Sequence, residues 1–251
     1  MKIGGEYTTR TNDEADLDGS LRDLLRSSPI FDSPHWSLHA NVFLKRQSLS
    51  RLLYLDALYK EIVDIPGVIC EFGVLYGATL VTLMNLRGIY EPYNHSRHIY
   101  GFDTFEGFPS VDPKDGDMAV RGDFSVPARY ELTLEQTLAL HERNSPISHI
   151  RKFGLIKGDV SQTLPKWLKD NPHVVVAMAI FDMDLYRPTL DALNLLRPHF
   201  MKDTVIAFDD LNSGNLPGET AAVMEAIGLN NLAIRRGPYQ SHCCWARFRS
   251  G

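Results

Sequence analysis

Residues 178–186, MAIFDMDLY, decide how this chain is read, because an apolar run stops there at two carboxylates, Asp182 and Asp184, with one residue between them. Residues 174–181 are apolar throughout, as a strand buried on both faces of a parallel sheet has to be. In an extended chain residues i and i+2 share a side, so Asp182 and Asp184 are expected to leave the strand's carboxyl end together. That end is where open α/β sheets hold their ligands. A second pair, Asp209-Asp210, closes another short apolar run at 204–208. If the two strands are neighbours the four acids converge. Their repulsion then calls for a divalent cation with oxygen ligands, one carboxylate being left for proton transfer. The plainer alternative for Asp209 or Asp210 is a cap on the helix that follows.

The 251 residues suit one α/β domain with additions, and 44% hydrophobic content is enough for a sizeable core. With 26 Lys+Arg against 31 Asp+Glu the formal net charge is −5, which gives no general reason to bind nucleic acid or an anionic membrane. Three cysteines, Cys70, Cys243 and Cys244, do not make a disulfide framework. The N-terminus is polar without an apolar signal-like core, and no segment is long and apolar enough to span a bilayer. The expectation is a soluble protein of the reducing cytoplasm.

Three regions follow from the pattern. Residues 1–20 are polar and without hydrophobic periodicity, an arm expected to be disordered alone and, if ordered, to lie on a neighbouring subunit of a homo-oligomer. Residues 21–65 form a helical cap. In it Leu52, Leu55, Leu58, Tyr59 and Ile62 make an apolar stripe, with Arg51, Asp56, Lys60 and Glu61 off it, preceded by a proline-broken loop carrying His35, Trp36 and His39. Pro66-Gly67 opens the main domain, 66–251. Its first unit reads as strand, glycine turn and helix around Glu71-x-Gly73-x-x-x-Gly77, a spacing that lets a ligand lie against the backbone at a helix N-terminus. It is not the G-x-G-x-x-G of a dinucleotide loop. A second strand at 98–102 ends at Asp103, where an α/β fold can hydrogen-bond ribose hydroxyls. The long Gly/Pro/Asp-rich stretch 104–126 is expected to be a lid. Helix 130–143, strand 153–156, helix 161–169, the opening strand, helix 189–196, strand 204–208 and helix 220–227 follow. Residues 232–248 read as two strands joined at Gly237-Pro238, bearing Arg235, Arg236, Cys243 and Cys244.

Taken together, Glu71-Phe72-Gly73-Val74, the run 101–109 (GFDTFEGFP), Lys157-Gly158-Asp159-Val160, Asp182-x-Asp184-Leu185-Tyr186 and Asp209-Asp210 resemble the macrocin O-methyltransferase family, from about residue 50 onward. Leu75-Tyr76 stand where family members often carry Trp-Arg. The resemblance implies an α/β, doubly wound, mostly parallel seven-stranded sheet of the class I methyltransferase type, Rossmann-like, with a C-terminal antiparallel hairpin. It implies S-adenosylmethionine as cofactor, magnesium or a similar divalent cation, and a hydroxyl of a nucleotide-linked sugar as methyl acceptor. Carried over residue by residue, Asp182, Asp209 and Asp210 are the metal ligands and Asp184 the general base. Asp103 is the ribose contact. Glu71, Gly73, Gly77, Thr79, Thr104, Gly158 and Asp182 join the cofactor site, and Asp159 and Val160 flank the adenine.

Two other activities share part of this signature. In a haloacid-dehalogenase-type phosphatase Asp182 would be the nucleophile and Asp184 the acid/base, but the 27 positions from Asp182 to Asp209 leave no room for the remaining stations and cap of such an enzyme. An Asp-x-Asp glycosyltransferase would use the pair on a nucleotide-sugar diphosphate, and leaves the Glu71–Gly77 turn and Asp103 without work.

Overall fold

Downstream of Pro66-Gly67 the apolar runs are too short to be anything but strands, and each of the first five is followed by a helix that carries the chain back over the sheet. The computed structural model describes residues 2–3, 6–7 and 11–249. Its main sheet holds β1 (Val68–Phe72), β2 (Ile99–Asp103), β3 (Phe153–Lys157), β4 (Val176–Phe181), β5 (Phe200–Phe208), β6 (Arg235–Arg236) and β7 (Cys244–Arg247). Their order across the sheet is β3-β2-β1-β4-β5-β7-β6. The first five run parallel, while β7 is antiparallel to both β5 and β6. This is the expected doubly wound sheet with its terminal hairpin, and the direction of winding reverses between β1 and β4, where such sheets open a crevice.

The helices are α1 (Asn12–Ser27), α2 (Arg46–Lys60), α3 (Ala78–Tyr90), α4 (Tyr130–Arg143), α5 (Val160–Asp170), α6 (Tyr186–Leu196) and α7 (Gly218–Ala226). Strand alternation divides the interior in two. Ile69, Met178 and Ile180 face a core shared with Leu55 of α2, Leu83 of α3 and Leu134 of α4. Cys70, Phe72, Ala179 and Phe181 face the other, with Leu164 of α5 and Leu193 of α6. Both faces being covered, the strands have no polar side to show, hence their uninterrupted apolar runs.

Four phenylalanines form a row across the sheet near the strand ends. Phe102 lies against Phe72 at 4.9 Å between centroids, Phe72 against Phe181 at 5.2 Å, and Phe181 against Phe208 at 5.7 Å. Each precedes a residue of the site: Asp103, Gly73, Asp182 and Asp209.

The N-terminal region departs from expectation. The polar stretch is helical from Asn12, because Thr11 and Glu14 close a reciprocal capping box and Asp13 and Glu14 lie in the positive first turn. Helix α1 buries none of its residues, so that Leu17 and Leu24 along it stay exposed. Lys2–Ile3 pairs with Glu6–Tyr7; the rest of 1–10 lies outside the described residues. Helix α2 begins at Arg46, and 40–43 is a separate short turn of helix. Helix α6 begins three residues earlier than the pattern suggests, since Pro188 falls in its first turn, where a missing N–H costs nothing. Among the described residues no helix is long and apolar enough to cross a membrane.

Candidate active site

The ladder of backbone hydrogen bonds continues one residue past the strands. Gly73 N–H donates to Phe102 C=O at 2.9 Å, Asp182 to Phe72 at 2.8 Å, Asp209 to Phe181 at 3.0 Å and Gly158 to Asp103 at 2.8 Å. The first residue of each functional loop is therefore fixed by the sheet itself. Beyond that point the backbone turns sharply: Leu75, Phe105 and Asp184 have φ of 50°, 58° and 60°, left-handed values that non-glycine residues seldom adopt.

The turn after β1 is held against the sheet from both sides. Gly73, at φ 90°, packs so closely on the neighbouring loop that a β-carbon there would lie 1.8 Å from the Asp182 carbonyl oxygen. Gly77, at φ 83°, starts α3 without a side-chain cap, leaving the first-turn N–H groups free for an anion. Asp103 is tied to this turn rather than turned to open space. Its Oδ2 accepts from Val74 N–H at 2.6 Å and Leu75 N–H at 2.8 Å, and its Oδ1 from Phe105 N–H at 2.6 Å. Glu71, on the α2/α3 face of β1, is buried with no partner for Oε2. Burial, with the charge of Asp182 added, pushes its carboxyl well above the usual range. A buried carboxyl with one unpartnered oxygen beside an uncapped helix start fits a ligand with an ammonium and a carboxylate on one carbon.

Asp182, Asp209 and Asp210 converge, each offering one carboxylate oxygen within 4.8 Å of the others. Three hard oxygen donors so placed suit a cation such as magnesium or manganese. Neither Asp209 nor Asp210 caps the next helix, whose N-cap is Pro217. Asp184 reaches the cluster by a different route from the one expected. The strand stops at Phe181 and Asp184 sits in a left-handed turn, so strand alternation does not place it; it is buried against Asp210 instead. Burial first, and Asp210 second, raise its carboxyl well above the ordinary range, and burial with Asp209 does the same to Asp182.

Three side chains that sequence reasoning did not assign stand among these acids. Arg51 of α2 pairs with Asp209 and, at 3.2 Å, with Asp182, and donates to Thr79 Oγ1 at 3.4 Å. Cys243, just before β7, donates its thiol to Asp209 Oδ1 at 3.1 Å. Glu219 of α7 is fully buried; its Oε1 accepts from Asp210 N–H at 3.0 Å, and its own N–H donates to the Asp184 carbonyl at 3.2 Å. The stripe on α2 is correspondingly rotated: Tyr54, Leu55, Leu58 and Tyr59 are buried, Leu52 is exposed, and Arg51 lies on the inner face. A charged residue four before Leu55 was the available signal.

On the other side of Asp103 a cleft of about 290 Å³ is lined by Thr104, Gly158, Asp159, Phe108, Arg121 and Lys157. It brings together three of the residues expected in the cofactor site, with Val160 buried as the first residue of α5. Asp159 also caps that helix, accepting from Ser161 N–H at 2.9 Å. The expected lid at 104–126 is pinned: buried Asp115 accepts from Tyr186 N–H at 2.6 Å, and Phe108 N–H donates to the Asp123 carbonyl at 3.0 Å. His35 and His39 are exposed in the N-terminal segment, and Arg235 and Arg236 are exposed on β6.

Comparison with known proteins adds to this geometry. The sequence model of the family described as macrocin-O-methyltransferase (TylF) matches residues 38–226. A curated relative, the 8-demethyl-8-(2,3-dimethoxy-alpha-L-rhamnosyl)-tetracenomycin-C 4'-O-methyltransferase of Streptomyces olivaceus, is 27% identical over 186 residues, which is 68% of this chain. The chain spans 62% of that relative's length. The crystal structure of CalS11, described as a calicheamicin methyltransferase, superposes with a TM-score of 0.92 at 38% identity, covering 100% of this chain and 98% of that one. An apo structure of CalS11, described as a TDP-rhamnose 3'-O-methyltransferase of calicheamicin biosynthesis, gives 0.84 at 36% identity over 97% and 98%. The O-methyltransferase NovP, at 19% identity and a TM-score of 0.55 over 80% of each chain, shares the fold.

Proposed function

This chain belongs to the macrocin-O-methyltransferase (TylF) family, and from that premise we propose that it moves the methyl group of S-adenosylmethionine onto a hydroxyl of a nucleotide-linked deoxysugar in antibiotic biosynthesis. The observation that carries the reading is the cluster of Asp182, Asp209 and Asp210, within 4.8 Å of one another and beside the buried carboxyl of Asp184. CalS11's description as acting on TDP-rhamnose, at 36% identity, supports a nucleotide-linked sugar as acceptor.

A sugar hydroxyl is a poor nucleophile near neutral pH. A divalent cation held by Asp182, Asp209 and Asp210 would supply, when bound, a lowered hydroxyl pKa and a fixed orientation for it. The remaining work falls to side chains of this protein. Asp184 takes the hydroxyl proton while the new O–C bond forms and the sulfonium S–C bond breaks, its electron pair staying on sulfur. Its raised proton affinity suits a base better than a surface aspartate would. Glu71 receives the methionine ammonium and the open start of α3 its carboxylate. Asp103 keeps the Gly73–Gly77 turn in the shape that receives them, and Thr104, Gly158, Asp159 and Val160 surround the nucleoside. Glu219 holds Asp210 and the Asp184 carbonyl in register. Apolar residues left bare on the N-terminal segment, among them Leu17, Leu24, Trp36 and Leu38, support a homo-oligomer.

The test is incubation with S-adenosylmethionine, magnesium and a panel of nucleotide-linked deoxysugars, the products read by mass spectrometry. Asp184→Asn is expected to lower kcat by about 10²–10⁴-fold with cation and cofactor affinities unchanged. Near wild-type turnover in that variant removes Asp184 as the base. Full activity after exhaustive EDTA treatment removes the cation.

A further inference from the structure

Arg51 occupies ground that the proposed reading gives to the divalent cation. From α2 its guanidinium reaches across to Asp209 and Asp182, carboxylates 158 and 131 positions further along the chain. Its Nη1 also lies 3.4 Å from Cys243 Sγ. Among the described residues it is the only basic side chain paired with either aspartate. The side chain is 23% exposed, so this is an enclosed contact rather than a surface pair.

We propose that Arg51 is the resident counter-ion of the cluster and that a divalent cation binds by displacing it. This rests on the assignment of the cation to Asp182, Asp209 and Asp210. A guanidinium does not lose its proton in a protein, so it cannot make way by neutralising itself. Its planar fork spans two carboxylates, as a lysine would not. An ion of charge +2 drawn to the same carboxylates repels it at a few ångströms' distance, and the arginine gives up those partners. Helix α2 need not move with it, because Tyr54, Leu55, Leu58 and Tyr59 anchor the helix in the core; the exchange is one of side-chain rotamers. Two consequences follow. The acids stay assembled before the cation arrives, and a monovalent cation, which would replace one positive charge by another without the hydrogen bonds, is a poor substitute. Arg51 thereby sets both the threshold concentration and the charge selectivity of the site.

The experiment is calorimetric titration of metal-free protein with Mn²⁺, and separately Mg²⁺, for wild type, Arg51→Met, Arg51→Lys and Asp182→Asn, with thermal melts before and after. Arg51→Met, which keeps the unbranched stem without the charge, should bind Mn²⁺ at least about tenfold more tightly, or about 1.4 kcal/mol. Its metal-free Tm should fall and recover on loading. Arg51→Lys should lie between. Unchanged or weaker binding by a folded Arg51→Met overturns the inference. If that variant does not fold without metal, Arg51→Lys decides: affinity equal to wild type overturns it, tighter binding supports it. If neither wild type nor the Arg51 variants bind, or if Asp182→Asn binds as tightly as wild type, it is the assignment of the cation that fails, and the displacement with it.

Discussion

Replacing Asp103 by alanine separates two jobs for the acid at the end of β2: holding the ribose, or holding the turn that holds the cofactor. Three backbone donors, Val74, Leu75 and Phe105, lie 2.6, 2.8 and 2.6 Å from its two oxygens. They use most of the four or so lone-pair positions that a carboxylate offers. Hydrogen bonds to a charged group contribute about 1.5–3 kcal/mol each, so the three sum to roughly 4–9 kcal/mol. Asp103 is only half-buried, and water can reach part of the vacated space. The expected loss therefore falls below that sum, at about 3–4 kcal/mol. Asp103→Asn keeps one acceptor oxygen and should lose about half as much. Urea unfolding measures the stability, with the m-value checked for constancy, and calorimetry with S-adenosylhomocysteine measures the affinity. Both should fall in the alanine variant, with asparagine between. If the alanine variant unfolds at the wild-type urea concentration while its affinity collapses, the carboxylate contacts only the cofactor and the loop-holding argument is wrong.

At Gly73, alanine would place a β-carbon 1.8 Å from the Asp182 carbonyl at φ 90°, whereas Gly122, at φ 86°, has nothing within 4 Å. Gly73→Ala should abolish cofactor binding and cost more than about 3 kcal/mol, Gly122→Ala only the roughly 1–2 kcal/mol of left-handed strain; equal costs in urea unfolding would show that the close approach is not what requires glycine. The pH prediction concerns Glu71, whose proton is held more tightly folded than unfolded, so its contribution is most favourable below its ordinary value of 4.5 and is lost as pH rises through the raised one. Glu71→Gln, neutral at every pH, should therefore gain stability relative to metal-free wild type between roughly pH 5 and 8; a flat difference across that range would mean that the carboxyl is ionised and satisfied.

Strand positions and helix alternation were open to reading because parallel strands buried on both faces must be apolar from end to end, and glycine and proline mark where they stop. The same reading found Asp182, Asp209 and Asp210, since acids directly after such a run have only the strand ends to occupy. It misjudged whatever depended on a turn. Asp184 was placed by strand alternation, which ceases at Phe181, and its left-handed backbone has no signature in a residue other than glycine. The first half of helix α1, within the stretch 1–20 read as a polar arm, was missed because it is mostly acidic and polar, although Thr11-x-x-Glu14 is a capping signal legible in the sequence. Arg51 was assigned to the outer face because it is charged, yet with Leu55, Leu58 and Ile62 it follows the inner face closely. Cys243 and Glu219 come from distant parts of the chain, and no local pattern announces that they meet Asp209 and Asp210.

The phenylalanine row gives a physical reason for locating the chemistry at the strand ends. Phe102, Phe72, Phe181 and Phe208 stack on the face opposite α2 and α3, and Trp167 closes the row edge-on against Phe102 at 5.4 Å. Large rings locked in a core have few alternative rotamers, so the backbone positions that follow them are rigid. Each acid then starts from a fixed point, which matters where an error of an ångström in placing reacting groups costs orders of magnitude in rate. That rigidity also prevents relaxation: burial first, and the neighbouring carboxylates that cannot move apart second, push Glu71, Asp182, Asp184 and Glu219 toward protonation. Flexible loops would relieve the repulsion and lose the geometry. A rigid platform keeps the geometry and leaves the charge to be balanced, which is the work proposed above for Arg51 while the cluster waits and for a divalent cation during turnover.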